Sequence, residues 1–153
     1  MKTVESSTVI YADDLQVGQI FSLGSWTFST EEIMAFGRLW DPLPIHVDTR
    51  AAAASRFGEL VASGIHVVAV MQRLTTDAVY RRSSLVAGRG IQKAWLTSPV
   101  RAGVTLHGEV GVQDVRLRVH KNAVVSLLGT FRDAEGNKVF EMVVESVWRT
   151  RPS

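Results

Sequence analysis

The chain has 153 residues, 46% hydrophobic and 21% charged, and its 17 basic against 15 acidic residues leave a formal net charge of +2. That is the length of one domain with enough apolar content for a sizeable core; it excludes a disordered chain, and the charge balance excludes a dedicated nucleic-acid binder. No apolar run approaches the ~18 residues that cross a bilayer, and the absence of cysteine rules out disulfides and zinc–thiolate sites.

These limits suit a cytoplasmic protein with no membrane partner. Met1-Lys2-Thr3-Val4-Glu5 has one basic residue and no apolar segment behind it, so a signal peptide is not expected. Residues 1–12 lack periodicity and read as a loose lead-in to a single domain spanning 1–153. Asp13-Asp14-Leu15-Gln16-Val17-Gly18 reads as a turn, and 19–28 alternates apolar with polar through Ile20, Ser22, Trp26 and Phe28, which predicts a strand. Ser29-Thr30-Glu31-Glu32 is a capping box, with Ser29 at the N-cap and Glu32 three residues on. The helix it opens carries Ile33, Phe36, Gly37 and Trp40 on one side and stops at the Pro42 signal, leaving Asp41 just past its last turn.

Trp40-Asp41-Pro42-Leu43-Pro44-Ile45-His46 places two prolines between a carboxylate and an imidazole. Proline fixes φ and disfavours helix in the residue before it. The stretch is therefore expected to be a stiff, extended loop able to hold two proton-handling groups in a lasting relation. Asp48 then N-caps a short helix over 49–55, whose alanines suit close packing, and Arg56-Phe57-Gly58 breaks it. Ser63-Gly64 precedes a long helix over 65–76. Val67, Val68, Met71 and Leu74 mark its buried face, and Ile65, Ala69 and Val70 leave little of the circumference polar. A helix apolar nearly all round is expected to be buried.

From Ser84 the period changes to two, which predicts strands over 85–98, 103–118, 122–133 and 138–150. Pro99-Val100-Arg101-Ala102-Gly103, His120-Lys121-Asn122 and Asp133-Ala134-Glu135-Gly136-Asn137 are the turns between them. One central helix followed by a long antiparallel run is an α+β pattern, with the sheet wrapped on that helix.

This order of elements, with Asp41, Pro44, His46 and Asp48 in one motif and Phe57, Ala62, Ser63 and Gly64 after it, resembles the MaoC-like acyl dehydratases and (R)-specific enoyl-CoA hydratases of the hot-dog fold. Leu15-Gln16-Val17-Gly18 resembles the entry to that family's first strand, and Pro99-Val100-Arg101-Ala102-Gly103 its turn between sheet strands. The likeness covers about residues 15–148 and departs at Leu43, where the family has Asn. It implies reversible hydration of a trans-2-enoyl-CoA, or dehydration of a 3-hydroxyacyl-CoA, without a metal or redox cofactor. It also implies Asp41 and His46 as the catalytic dyad, Gly64 as the backbone oxyanion donor, and a homodimer or an assembly of dimers.

The residues themselves suit that chemistry. Water must be activated, a proton delivered to carbon, and charge on the thioester oxygen stabilised. A carboxylate and an imidazole serve the first two needs, and a glycine at a helix N-terminus offers free N–H groups with close approach. Ser63 reads as an N-cap rather than a nucleophile. Trp40 and Leu43 are candidates for the acyl slot, and His66 either faces the pocket or packs in the core. Arg81, Arg82, Arg89 and Lys93 are candidates for the CoA phosphates or simply a solvated face. His107 and His120 read as solvated or structural, and the histidine spacing carries no metal signature. Two alternatives stay open. A hot-dog thioesterase would need an acidic residue on the central helix, where 65–76 has none and Gln72 is the nearest polar candidate. A non-catalytic acyl-CoA binder is kept open by Leu43.

Overall fold

The period-two half of the chain forms one antiparallel sheet. In a computed structural model, which describes residues 8–118 and 120–153, the strands are β1 (Ile20–Thr27), β2 (Leu85–Leu96), β3 (Thr105–Arg118), β4 (Asn122–Arg132) and β5 (Lys138–Arg149). They lie in the order β1-β3-β4-β5-β2, every neighbouring pair antiparallel. The predicted strands thus hold to within two residues at each end. Gly103 and Gly136, both at φ +85°, supply the left-handed backbone of their turns.

Among the described residues four α-helices precede or interrupt the sheet: α1 (Thr30–Trp40), α2 (Pro44–Val47), α3 (Thr49–Ala53) and α4 (Gly64–Ala78). α4 is the long helix against which the sheet wraps. Its Val67, Val70, Met71 and Leu74 are buried with Leu106, Leu127, Phe131, Phe140 and Trp148 in one core. This is the α+β hot-dog arrangement expected from the order of elements.

Four expectations need correction. Residues 1–7 of the lead-in lie outside the described residues, but 8–12 are not loose: Ile10 N–H donates to the Arg82 carbonyl, the Ser84 N–H donates to Ile10, and Ala12 is fully buried. α4 is not buried all round, because Ile65 is 63% exposed and Ala69, Gln72 and Arg73 also face outward; its apolar residues split between a core stripe and an open side. Trp40, expected on the apolar side of α1, is 70% exposed, since the last turn of α1 stands clear of the core with Arg38 and Leu39. Of the four alanines after Thr49 only Ala52 is buried, and the helix ends at Ala53.

At one edge of the sheet β2 is open on almost every residue, with Val86, Ile91 and Trp95 each more than half exposed. In the sheet interior, β4 approaches α4 so closely that a Cβ at Gly129 would lie 2.7 Å from Met71 Sδ. Gly129→Ala is therefore expected to destabilise the fold by about 1–3 kcal/mol through overpacking. Urea denaturation with an unchanged m-value checks this.

Candidate active site

α1 delivers Asp41 at its C-cap and α2 delivers His46 one short loop later. The loop is not extended throughout. Leu43 is extended (φ −70°, ψ 142°), as a residue before proline should be, but Pro44 opens the helical turn that carries His46. Proline restrains the residue before it, while its own φ and missing N–H suit the first position of a helix. No cis peptide bond occurs among the described residues.

The two helices touch through glycine. A Cβ at Gly37 would lie 3.1 Å from the His46 Cβ and 2.9 Å from a Val47 methyl carbon, so α2 seats directly on the α1 backbone. His46 is buried, and its Nδ1 lies 2.6 Å from the Val61 carbonyl oxygen. A carbonyl only accepts, so Nδ1 carries the proton and the Nε2 lone pair is free. That lone pair faces Asp41 Oδ2 at 3.4 Å. Two acceptors face each other, and a shared proton or a water donating to both satisfies them.

Ser63 occupies the N-cap position of α4 but makes no side-chain cap. Its Oγ–H donates to Asp41 Oδ2 at 2.7 Å instead, orienting the carboxylate from a fully buried position. This corrects the expectation of a capping serine. Gly64, the first residue of α4, places its N–H among the unpaired donors of that helix end. Asp41, Ser63, Gly64, Ile65, Val68, Ala94, Leu96 and Phe140 line one cavity of about 240 Å³. His46, Val61, Leu96 and Pro99 line an adjoining one of about 300 Å³. Leu96, at the end of β2, belongs to both, and its Cδ1 would lie 3.3 Å from a Cβ at Gly64. Residue order alone carries no sign of Leu96, because strand register decides which β2 side chain arrives there. Asp48 caps α3 by accepting from the Arg50 and Ala51 N–H groups, as expected.

The remaining candidates lie elsewhere. Leu43 is 52% exposed and lines neither cavity. Trp40 and His66 line a third cavity, between α1 and α4, with Trp26, Glu32, Phe36 and Arg73. Arg89 faces Glu145 at 3.9 Å; it is seven residues along β2 from Leu96, roughly 23 Å at strand rise. Arg81 pairs with Asp77, Lys93 with Glu141, and Arg82 donates to the Ala78 carbonyl. His107 is exposed on β3 and His120 holds a left-handed turn at φ 67°.

Glu32 is the residue the sequence concealed. Only half of the capping box forms: Ser29 Oγ accepts from the Glu32 N–H, while the Glu32 carboxylate turns away. Glu32 Oε2 accepts from Trp26 Nε1–H at 2.8 Å and lies 3.4 Å from His66 Nε2. The His66 ring stacks on Phe36 at 4.6 Å and meets Phe28 edge-on. Burial holds the imidazole below its ordinary value of 6.5, and the Glu32 carboxylate opposes that shift. Between the folded and unfolded values the unfolded chain binds more protons, so this contribution is complete above about pH 6.5 and is lost as pH falls below it. His66→Phe, which keeps a ring for the stack, is expected to lose less stability than wild type between pH 7 and pH 5. Urea denaturation across that range measures the difference.

Comparison with known proteins gives the same picture. The family model for the MaoC like domain matches residues 15–130. Protein YdeM of Bacillus subtilis is 28% identical over 129 residues, 84% of this chain and 92% of that protein. The 3-hydroxyacyl-thioester dehydratase Z of Mycobacterium tuberculosis is 28% identical over 155 aligned positions, 97% of this chain and 98% of that protein. The crystal structure of a MaoC-like dehydratase from Rhodospirillum rubrum superposes with a TM-score of 0.83 at 29% identity, covering 94% of this chain and 99% of that one. With a carboxylate–imidazole pair at the mouth of its central helix and a family match across most of its length, the chain belongs to the MaoC-like domain family.

Proposed function

We propose that this protein is a hydro-lyase that adds water reversibly to a trans-2-enoyl-CoA and, in reverse, dehydrates a 3-hydroxyacyl-CoA. The observation that carries the reading is the Asp41–His46 pair, two acceptors 3.4 Å apart beside the first N–H of α4. A water between Oδ2 and Nε2 donates to both and is held as a nucleophile. Its oxygen bonds to C3 of the thioester while one O–H proton passes to the pair. The C2=C3 π electrons move toward C2, and the thioester oxygen takes up charge at the Gly64 N–H, where the helix end favours an anion. The pair then returns one proton to C2. The product carries H on C2 and OH on C3, so one water is consumed and the pair is restored without any redox group. Similarity to a protein named as a 3-hydroxyacyl-thioester dehydratase supports the reaction class. The thioesterase alternative gains nothing, because the polar groups in the Asp41 cavity come from the α1 end and the α4 start, with no carboxylate from α4 itself.

The reading includes a homodimer. β2 is an open edge strand with exposed Val86, Ile91 and Trp95, the kind of edge that a second chain covers by continuing the sheet. Leu96 ends that strand and walls the Asp41 cavity, so pairing and site would be assembled together.

Loss of enoyl absorbance with a panel of trans-2-enoyl-CoAs, from crotonyl to long and branched chains, tests the reaction. Asp41→Asn and His46→Gln are each expected to lower turnover by about 10²–10⁴, and Ser63→Ala by roughly tenfold or more through loss of a hydrogen bond to a charged group. Turnover that survives in either dyad variant, with the fold intact, defeats the reading. Light scattering should give twice the chain mass for wild type and a smaller mass for Ile91→Asp; a monomer mass for wild type at working concentration rejects the dimer.

A further inference from the structure

Leu96 holds a place that no other side chain shares. Among the described residues it alone lines both the Asp41 cavity, of about 240 Å³, and the His46 cavity, of about 300 Å³. It is the last residue of β2, and its backbone is pinned there. The next residue, Thr97, donates its N–H to the Val139 carbonyl at 2.9 Å and its Oγ1–H to the Lys138 carbonyl at 2.8 Å. The Leu96 side chain reaches across to the start of α4, where its Cδ1 would lie 3.3 Å from a Cβ at Gly64. That methyl therefore stands within about 5 Å of the Gly64 Cα, one C–C bond further at most.

The inference rests on the hydration reading given above, which fixes two points of the substrate. The thioester oxygen accepts from the Gly64 N–H, and C3 meets the water held between Asp41 Oδ2 and His46 Nε2. C2 is bonded to the thioester carbon on one side and to C3 on the other, so it lies between Gly64 and the dyad. Each of the three groups that fix this stretch shares a cavity wall with Leu96. Conjugation keeps the enoyl thioester flat from its carbonyl to C3. A substituent on C2 therefore projects sideways in that plane and cannot fold out of the way.

We propose that Leu96 sets the substrate class of this site by rejecting thioesters substituted at C2, so that the protein acts on straight-chain enoyl and 3-hydroxyacyl thioesters rather than their 2-methyl counterparts. Its branched end occupies the room that a C2 methyl needs, at the junction where the two cavities meet.

The test sets isomers against each other, so that apolar content is constant. Wild type is expected to hydrate trans-2-pentenoyl-CoA with a kcat/KM about tenfold or more above that of trans-2-methyl-2-butenoyl-CoA, the scale on which an apolar pocket discriminates one carbon. Part of that gap belongs to the lower reactivity of the substituted alkene, and this part cancels when variants are compared. Leu96→Ala should narrow the gap by about fivefold or more. Leu96→Val, a residue that suits a strand and keeps most of the side chain, should narrow it less. An unchanged ratio in both variants overturns the proposal, as does a wild type that takes the two isomers equally well. Butyryl-CoA and isobutyryl-CoA have no double bond to hydrate and give a readout apart from turnover. Calorimetry should show butyryl-CoA binding wild type about fivefold or more tighter, with the difference shrinking in Leu96→Val. Equal affinities overturn the proposal even where no variant folds. Absence of turnover on every enoyl thioester, with that binding difference retained, defeats the hydration reading and leaves the selection by Leu96 standing.

Discussion

The hydrogen bond between His46 Nδ1 and the Val61 carbonyl is the constraint on which the site depends. It is half of a reciprocal pair, since the Val61 N–H donates to the Ile45 carbonyl. The same short segment is tied on its other side to the turn before β3, through Ala62 N–H to Val100 and Ala102 N–H to Leu60. A strip of backbone is thus stitched between α2 and the sheet, and it runs straight into Ser63 and Gly64. One set of bonds settles the tautomer of the imidazole, the position of the serine that orients Asp41, and the place where α4 begins. A buried imidazole with two competing acceptors would otherwise have no fixed proton.

Much of this was legible from the residue order. Strand ends followed from the period-two pattern, helped where glycine or Asx chemistry closes the turn, as at Gly103, Gly136 and Asp133. Asp41 and His46 stood out because prolines flank Leu43, and the extended backbone there obeys the rule for a residue before proline. The same reasoning overreached at Pro44, which starts a helical turn because nothing in proline opposes helix after itself. Asp48 announced its cap correctly. Ser63 did not, because a cap needs its Oγ turned back to accept from an α4 N–H, and the hydroxyl is turned instead toward a carboxylate that arrives from another helix.

What stayed hidden was tertiary in origin. Glu32 had an adequate local explanation as the third residue of a capping box, and the indole that claims it comes from the neighbouring strand. His66 could be placed only once α1 was laid across α4, bringing Phe36 onto its ring. Leu96 depends on strand register, and Trp40 on where α1 outruns the core. Periodicity along one element gives its faces, whereas the identity of what each face meets is a property of the packing.

α4 carries a further consequence. Residues 64, 65 and 68 border the Asp41 cavity, residues 67, 70, 71 and 74 fill the core, and residues 66, 69 and 73, with one edge of 70, border the cavity under α1. A single rigid rod is divided by angle into three sectors with different duties. Substitutions in one sector are separated from the others by the helix backbone, so positions such as Ala69 and Arg73 can change while the end beside Asp41 and Ser63 stays fixed. Such a rod makes its sides separable, so that a side chain beside one cavity can change size without moving the wall of the other.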